Sequence, residues 1–109
     1  MAIEATEQLM AAQETTWLFS STGMPVAFIS GRSVYKTNGE FLGCLEGTAV
    51  LNEQYIGEIF AGNRFLARRF KPLYKGEKIV EENLRLLPPI PDRLEPMQLP
   101  TDFQDLGID

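Results

Sequence analysis

A five-residue pattern of apolar and small positions occurs three times along the chain, and its copies begin 16 and then 14 residues apart. The copies are Pro25-Val26-Ala27-Phe28-Ile29, Phe41-Leu42-Gly43-Cys44-Leu45 and Tyr55-Ile56-Gly57-Glu58-Ile59. A shorter apolar pair precedes each copy: Leu18-Phe19, Val34-Tyr35 and Val50-Leu51. Because one such unit cannot bury its own apolar face, the repetition predicts several units packed together.

Turn-forming residues separate the apolar runs, and they predict that each unit is a β-hairpin with strands of about four to six residues. Asn38-Gly39, between Val34-Tyr35 and Phe41-Leu42, favours a tight turn with two positive φ angles. Gly31-Arg32 and Gly47-Thr48 link one unit to the next. The third unit is two residues shorter at its turn, so a different turn is expected there.

The sequence indicates a fourth hairpin less clearly than the first three. Arg64-Phe65-Leu66-Ala67 could supply its first strand, and residues 70–74 a degenerate second strand. The sequence therefore predicts an all-β fold of three or four short β-hairpin repeats around a pseudo-symmetry axis.

The middle position of each copy is small: Ala27, Gly43 and Gly57. Glycine is normally unfavourable inside a strand, so its recurrence suggests that another strand or a bulky side chain approaches closely there. A series of unrelated β-bulges is the alternative explanation. If another strand or side chain does approach closely there, these three residues are structural positions of the repeat.

The two ends of the chain differ from the repeats. Residues 2–14 contain good helix formers without Gly or Pro, which predicts an N-terminal helix within residues 1–16. The β-hairpin repeat domain is expected over residues 17–78. Residues 79–109 are expected to form a short helical turn, ending at Pro88-Pro89, and then an extended, proline-rich acidic arm.

The repeat segments resemble those of a known protein family. The segments Gly23-Met24-Pro25-Val26-Ala27-Phe28-Ile29 and Val34-Tyr35, followed by Gly39 and Leu42-Gly43, are similar to elements of small bacterial proteins described as four-fold beta flower proteins. The resemblance covers residues 17 to about 70. It implies hairpin petals around a pseudo-four-fold axis and implies no catalytic activity or site. One departure is Cys44, where an aromatic residue often follows the Leu-Gly element in that family.

The amino-acid composition excludes several common types of catalytic and metal-binding site. The 109 residues include no histidine and one cysteine, and the net charge is −5. A Ser-His-Asp triad, an imidazole metal ligand and an internal disulfide are therefore excluded. No cofactor is expected. No signal peptide or run of about 18 apolar residues is visible, so a cytoplasmic protein without a membrane partner is expected.

Charge is distributed unevenly. Residues 64–78 hold six of the ten basic residues, interleaved with aromatic side chains, and the candidate interaction residues there are Arg64, Arg68, Arg69, Lys71 and Tyr74. Such a segment could grip a phosphate backbone and stack bases. We favour the other interpretation, in which the segment is the solvated, charged edge of the last hairpin and discourages aggregation.

Residues 88–109 carry five acidic residues and one basic residue, with apolar residues spread among them. We expect this tail to pack on the basic 64–78 region of its own or a neighbouring copy, the alternative being a disordered tail. The sequence thus favours a non-catalytic structural or protein-interaction module that self-associates. A nucleic-acid-binding accessory protein using residues 64–78 is the alternative, and a small-ligand protein using the petal axis would need a concave apolar pocket there.

Overall fold

The computed structural model describes residues 15–107. It contains eight strands: β1 (Thr15–Phe19), β2 (Pro25–Ser30), β3 (Ser33–Lys36), β4 (Phe41–Glu46), β5 (Ala49–Asn52), β6 (Gln54–Phe60), β7 (Arg64–Arg68) and β8 (Phe103–Asp105). The predicted N-terminal helix lies outside the described residues, except at Thr15 and Thr16. Those two residues begin β1 and are not helical, in keeping with the preference of β-branched side chains for strands.

All eight strands belong to one sheet in which they follow chain order, and each is antiparallel to the next. The sheet closes on itself where Phe19 of β1 forms a parallel bridge with Arg64 of β7, supported by the Phe19 N–H donating to Asn63 O at 2.8 Å. Closure leaves few free strand edges, as is usual for barrels. The predicted all-β fold of hairpin repeats is confirmed.

Four equivalent side chains, one from each hairpin, fill the centre of the sheet. They are Leu18, Val34, Val50 and Phe65, each at most 1% exposed and all in one apolar cluster. Three of them face an aliphatic residue of the preceding hairpin, in the pairs Ile29–Val34, Leu45–Val50 and Ile59–Phe65. Burying each such side chain stabilises the fold by roughly 1.5–3 kcal/mol. Side chains thus occupy the pseudo-symmetry axis.

The fourth hairpin is complete, but its second strand is not residues 70–74 as expected. It is β8, which pairs with β7 through Leu66–Asp105, Ala67–Gln104 and Arg68–Phe103 after a long connection. Residues 70–74 form no strand, and Pro72 among them has no N–H to donate to a sheet. The chain therefore finishes its fourth unit only near its C-terminal end.

The connection between β7 and β8, which we call the belt (residues 69–102), runs past the turns of the other three hairpins in reverse order. Its Gly76, Leu84 and Leu94 N–H groups donate to Glu53 O, Gly39 O and Gly23 O at 3.1, 2.9 and 2.9 Å, respectively. In each case the acceptor belongs to the turn residue that has a positive φ. The belt is thus tied to all three turns by one repeated backbone contact.

The helical turn predicted at 79–87 is absent. The N–H groups of Ile79 and Leu84 donate to Asn52 Oδ1 and Gly39 O instead of to carbonyls one helical turn earlier. The barrel rim therefore takes the hydrogen bonds that a helix would need. The predicted boundary between residues 78 and 79 falls inside the belt.

The β3–β4 and β5–β6 turns differ in length and in the residue that has a positive φ angle. In the β3–β4 turn only Gly39 has a positive φ (89°), because the loop has four residues and Gly39 N–H donates to Lys36 O at 2.9 Å. The prediction of two positive φ angles at Asn38-Gly39 was therefore wrong. The β5–β6 turn is reduced to Glu53, which has a φ of 63°, so the third turn differs as predicted.

Candidate interaction surface

The three small repeat positions lie at equivalent places in the sheet. Ala27, Gly43 and Gly57 pair across their hairpins with Leu18, Val34 and Val50, the residues that fill the axis. A Cβ at Gly43 would lie 2.6 Å from Leu51 O, closer than real Cβ atoms approach. These residues serve the packing of the core and have no exposed chemistry.

The equivalent place in the fourth hairpin is occupied differently. Leu106, the residue that follows β8, packs against the apolar cluster that contains Phe65. A Cβ at Gly57 would lie 3.1 Å from Leu106 Cδ1 and 2.8 Å from the Phe65 ring. Gly57 therefore leaves the room that these two larger side chains fill.

Arg64, the first of the five candidate interaction residues, is buried and engaged within the chain. Its Nη1 donates to Ser20 O at 2.9 Å, and its Nη2 donates to Glu95 O at 2.7 Å. It is 9% exposed. Its guanidinium thus joins β7 to the first hairpin turn and to the belt, and it is not presented to a partner.

Arg68 is exposed but already paired. Its Nε donates to Glu58 Oε1 at 2.6 Å, and its guanidinium lies 5.0 Å from the centre of the Phe103 ring. The Glu58 carboxylate raises the pKa of Arg68 above its ordinary value.

The Tyr55 hydroxyl lies beside this ion pair and accepts a hydrogen bond from the backbone N–H of Arg68 at 3.3 Å. Burial, followed by the nearby Glu58 charge, raises the pKa of Tyr55 above its ordinary value of 10.0.

The other three candidates lie at the start of the belt. Arg69 N–H donates to Asp102 O at 2.7 Å, and its Nε reaches Phe103 O at 3.4 Å. Lys71 and Tyr74 are exposed and border an open pocket of about 650 Å³ beside the β5–β6 turn. The structure therefore separates the five residues: Arg64, Arg68 and Arg69 form hydrogen bonds within the chain, whereas Lys71 and Tyr74 face solvent.

The tail packs on the 64–78 region of its own chain, as the sequence suggested, through backbone pairing of β8 with β7 and through the Arg64 bond to Glu95 O, and not through ion pairs with its carboxylates. Within residues 15–107 the ion pairs are Lys36–Glu40 and Arg68–Glu58, and neither involves the acidic tail.

A feature missed by the sequence reasoning is the apolar outer side of the belt. Among the described residues, eight of the nine large hydrophobic side chains that are exposed belong to it. The most exposed are Leu73 (105%), Leu86 (92%), Phe70 (84%), Val80 (78%) and Ile90 (67%). A concentration of large exposed apolar side chains in one segment of a small protein suggests an interaction site. The only signal in the sequence was an apolar residue every few positions between prolines.

A second apolar feature lies where the belt crosses the first hairpin. Four aromatic rings form a ladder across β1 to β4, with centres 5.1 Å apart for Trp17–Phe28, 5.5 Å for Phe28–Tyr35 and 5.7 Å for Tyr35–Phe41. Phe28 and Tyr35 are buried, while Trp17 is half-buried. Trp17 and Phe28 form one wall of an open groove of about 500 Å³, and Leu84, Leu86 and Leu87 with Pro88 and Pro89 form the other.

Catalytic or metal-binding groups do not converge in the described part of the chain. Between residues 15 and 107, no three Cys, Asp or Glu side chains lie close enough together to hold a metal ion. Cys44 is half-buried on β4. Over the same range, no helix has the length and apolar character needed to cross a membrane.

Comparison with known proteins gives one match. The model of the family described as "4-fold beta flower protein" matches residues 4–102, which include the first seven strands and the belt. No curated protein and no solved structure matches this chain. The closed sheet of four hairpins and the family match over most of the sequence agree, and the chain belongs to the 4-fold beta flower protein family.

Proposed function

We propose that this chain is a non-catalytic protein-interaction module that self-associates through the outer side of its belt. The observation that carries the proposal is the exposure of Phe70, Leu73 and Val80, at 84%, 105% and 78%. These side chains protrude from a segment whose backbone is tied to the rim of the barrel. Burying such side chains stabilises an association by roughly 25 cal/mol for each Å² of apolar area removed from water.

Charge favours a second copy as the occupant of this surface. Residues 69–78 hold four basic residues and one acidic residue, whereas residues 81–95 hold four acidic and two basic residues. Two belts that cross antiparallel near Val80 would bring Lys78 of each copy opposite Glu82 of the other, with Lys75 and Glu81 flanking this pair. A two-fold contact of this kind is self-complementary, which is the commonest arrangement in homodimers. Complementary charge would set the register, and the apolar side chains would supply most of the affinity.

A non-catalytic role agrees with the side-chain chemistry. The sequence has no histidine, and the described carboxylates are scattered or paired structurally, as Glu58 is with Arg68. An enzyme needs an acid, a base or a nucleophile placed together in a cleft.

The solution mass, measured by light scattering, tests the proposal. The wild-type chain is expected at twice its monomer mass, and the Leu73→Ser/Val80→Ser variant at the monomer mass. Met24→Ser is the matched control, since Met24 is 43% exposed but lies in the β1–β2 turn and not on the belt. It should remain dimeric. A wild-type chain that stays monomeric at high concentration would contradict self-association.

A charge exchange tests the arrangement of the two copies. The Lys75→Glu/Lys78→Glu and Glu81→Lys/Glu82→Lys variants should each dimerise more weakly than the wild type. Mixing the two should restore dimers, because each supplies the charge that the other has lost. Failure of the mixture to dimerise while the wild type does so would contradict the antiparallel arrangement.

Nucleic-acid binding by residues 64–78 is the competing possibility, and the geometry supports it less well. Arg64 is buried against backbone carbonyls and Arg68 is paired with Glu58. Two of the six basic side chains in residues 64–78 therefore already have partners within the chain. A titration of labelled single- and double-stranded oligonucleotides at low salt separates the two functions. Binding that weakens steeply with salt, and that is lost in Lys71→Glu/Lys75→Glu, would favour the nucleic-acid function.

A further inference from the structure

The groove beside the first hairpin is apolar on both walls and open to solvent. Trp17 is half-buried on one side, while Leu86 and Leu87 on the other are 92% and 43% exposed. The volume, about 500 Å³, suits a few apolar side chains of a peptide segment. This groove is separate from Leu73 and Val80, on which the proposed self-association depends.

The described part of the chain begins in the lining of the groove. Thr15, the first residue of β1, lies in its lining together with Ser30, the last residue of β2. The fourteen residues that precede Thr15 in this sequence are therefore attached directly to the lining of this apolar groove. A segment tethered so closely has a high effective concentration at the groove and needs few contacts to occupy it.

The chemistry of that segment complements the groove. Residues 2–14 favour a helix, and on a helix Ile3 and Met10 share one face, which Leu9 widens. A helix of this length is marginal in water unless its apolar face is covered. At about 1.5 Å per residue it would be roughly 20 Å long. Glu4, Glu7 and Glu14 would lie on the side of the helix opposite Leu9, and Glu14, four residues after Met10, would border the apolar face.

We propose that residues 2–14 dock in the groove of their own chain, with Leu9 and Met10 inserted between Trp17 and Leu86. This contact covers the exposed end of the aromatic ladder and joins the N-terminal segment to the belt. It is a second contact surface, independent of whether two copies associate through Leu73 and Val80.

Trp17 is the only tryptophan in the sequence, so its fluorescence reports directly on the groove. In the full chain its emission is expected to be blue-shifted and poorly quenched by acrylamide. The Leu9→Asp/Met10→Asp variant should shift the emission to the red and increase quenching several-fold. Gln8→Asp/Ala11→Asp is the matched control: it adds the same charge to the same segment on positions away from Ile3 and Met10, and should leave the emission unchanged. Leu86→Asp, on the other wall, should reproduce the red shift.

Circular dichroism on each variant confirms that the sheet is retained, so that a red shift reports on the groove and not on unfolding. Unchanged emission and quenching in both Leu9→Asp/Met10→Asp and Leu86→Asp would overturn the proposal. A wild-type emission that moves to the red on dilution would also overturn it, since the groove would then be filled by another copy. The mass measurements on Leu73→Ser/Val80→Ser are independent of these readouts, so either proposal can fail alone.

Discussion

The carboxylate of Asp105 accepts two hydrogen bonds from Ser21, one from the backbone N–H at 2.7 Å and one from the hydroxyl at 2.5 Å. The two residues are 84 positions apart in the sequence. Asp105 ends β8, and Ser21 lies in the turn of the first hairpin. This pair therefore joins the last hairpin to the first and supports the closure of the ring at the place where β1 and β7 share a single bridge.

Asp105→Ala should lower the free energy of unfolding by about 1–3 kcal/mol, because it leaves the N–H and hydroxyl of the buried Ser21 without their partner. Urea unfolding followed by circular dichroism measures the change. Asp102→Asn is the control, since Asp102 is exposed and asparagine tolerates its φ of 72°. Equal stability of Asp105→Ala and wild type would show that the ring closes without this pair.

Gly43→Val should destabilise the fold by about 1–3 kcal/mol or more, because its Cβ would meet Leu51 O at 2.6 Å and the β-branches would add further overlap. Thermal melting measures the loss, and Gly43→Ala, with a single added carbon, covers the case in which the valine variant does not fold. Gly107→Ala is the matched control, because a Cβ there meets nothing within 4 Å. A Gly43→Val variant as stable as wild type would contradict the close approach of the strands.

Arg64→Met should lower the melting temperature substantially, because two charge-assisted hydrogen bonds to the carbonyls of Ser20 and Glu95 are lost. Hydrogen bonds to charged groups contribute roughly 1.5–3 kcal/mol. Arg69→Met, at an exposed position five residues away, is expected to change stability much less. If the two variants melted at the same temperature, Arg64 would have no special structural role.

Deletion of residues 88–109 should lower the melting temperature, because it removes β8 together with the hydrogen bonds that Leu94 and Met97 donate to Gly23 O and Ser21 O. Deleting only residues 108–109 leaves every described contact in place and should have little effect. Leu94→Pro removes a single belt contact and provides a milder test should the long deletion not fold. Stability unchanged by both the long deletion and Leu94→Pro would mean that the end of the belt does not stabilise the barrel.

The stability of the chain should fall more steeply at alkaline pH than that of Tyr55→Phe. Burial raises the pKa of Tyr55 in the folded state above 10.0, so the folded chain holds this proton more tightly than the unfolded chain does. The resulting stability is fully present below about pH 10 and is lost as the pH rises toward the folded-state pKa. Phenylalanine has no proton to lose. Urea unfolding at about pH 8 and pH 10.5 should therefore show a larger decrease for wild type, and equal decreases would contradict the raised pKa.

Much of the architecture could be predicted from local patterns. The spacing of the apolar pairs placed Leu18, Val34 and Val50 at equivalent positions, and the structure packs these three together with Phe65. The recurrence of a small residue marked Ala27, Gly43 and Gly57, which face those core side chains. Such features are visible in the sequence because a hairpin pairs residues that are close along the chain.

The contact surfaces were less accessible to sequence reasoning. Residues 64–78 were distinguished by charge, yet burial of Arg64 and pairing of Arg68 with Glu58 depend on neighbours distant in sequence. The exposure of Phe70, Leu73 and Val80 could not be recognised either, because an apolar residue in the sequence gives no sign of whether another element will cover it. Exposure is a property of the assembled fold.

The sequence by itself determined the hairpin repeats, their core positions and the absence of histidine chemistry, since each depends on residue type and local spacing. Only the tertiary structure decided how the ring is completed. Strand β8, which follows the belt, pairs with β7, and Asp105 accepts hydrogen bonds from Ser21. This pairing satisfies backbone N–H and C=O groups of β7 that a local strand at 70–74 could not, because Pro72 has no N–H to donate. The belt is extended and not helical for the same reason: its N–H groups find acceptors on the three hairpin turns.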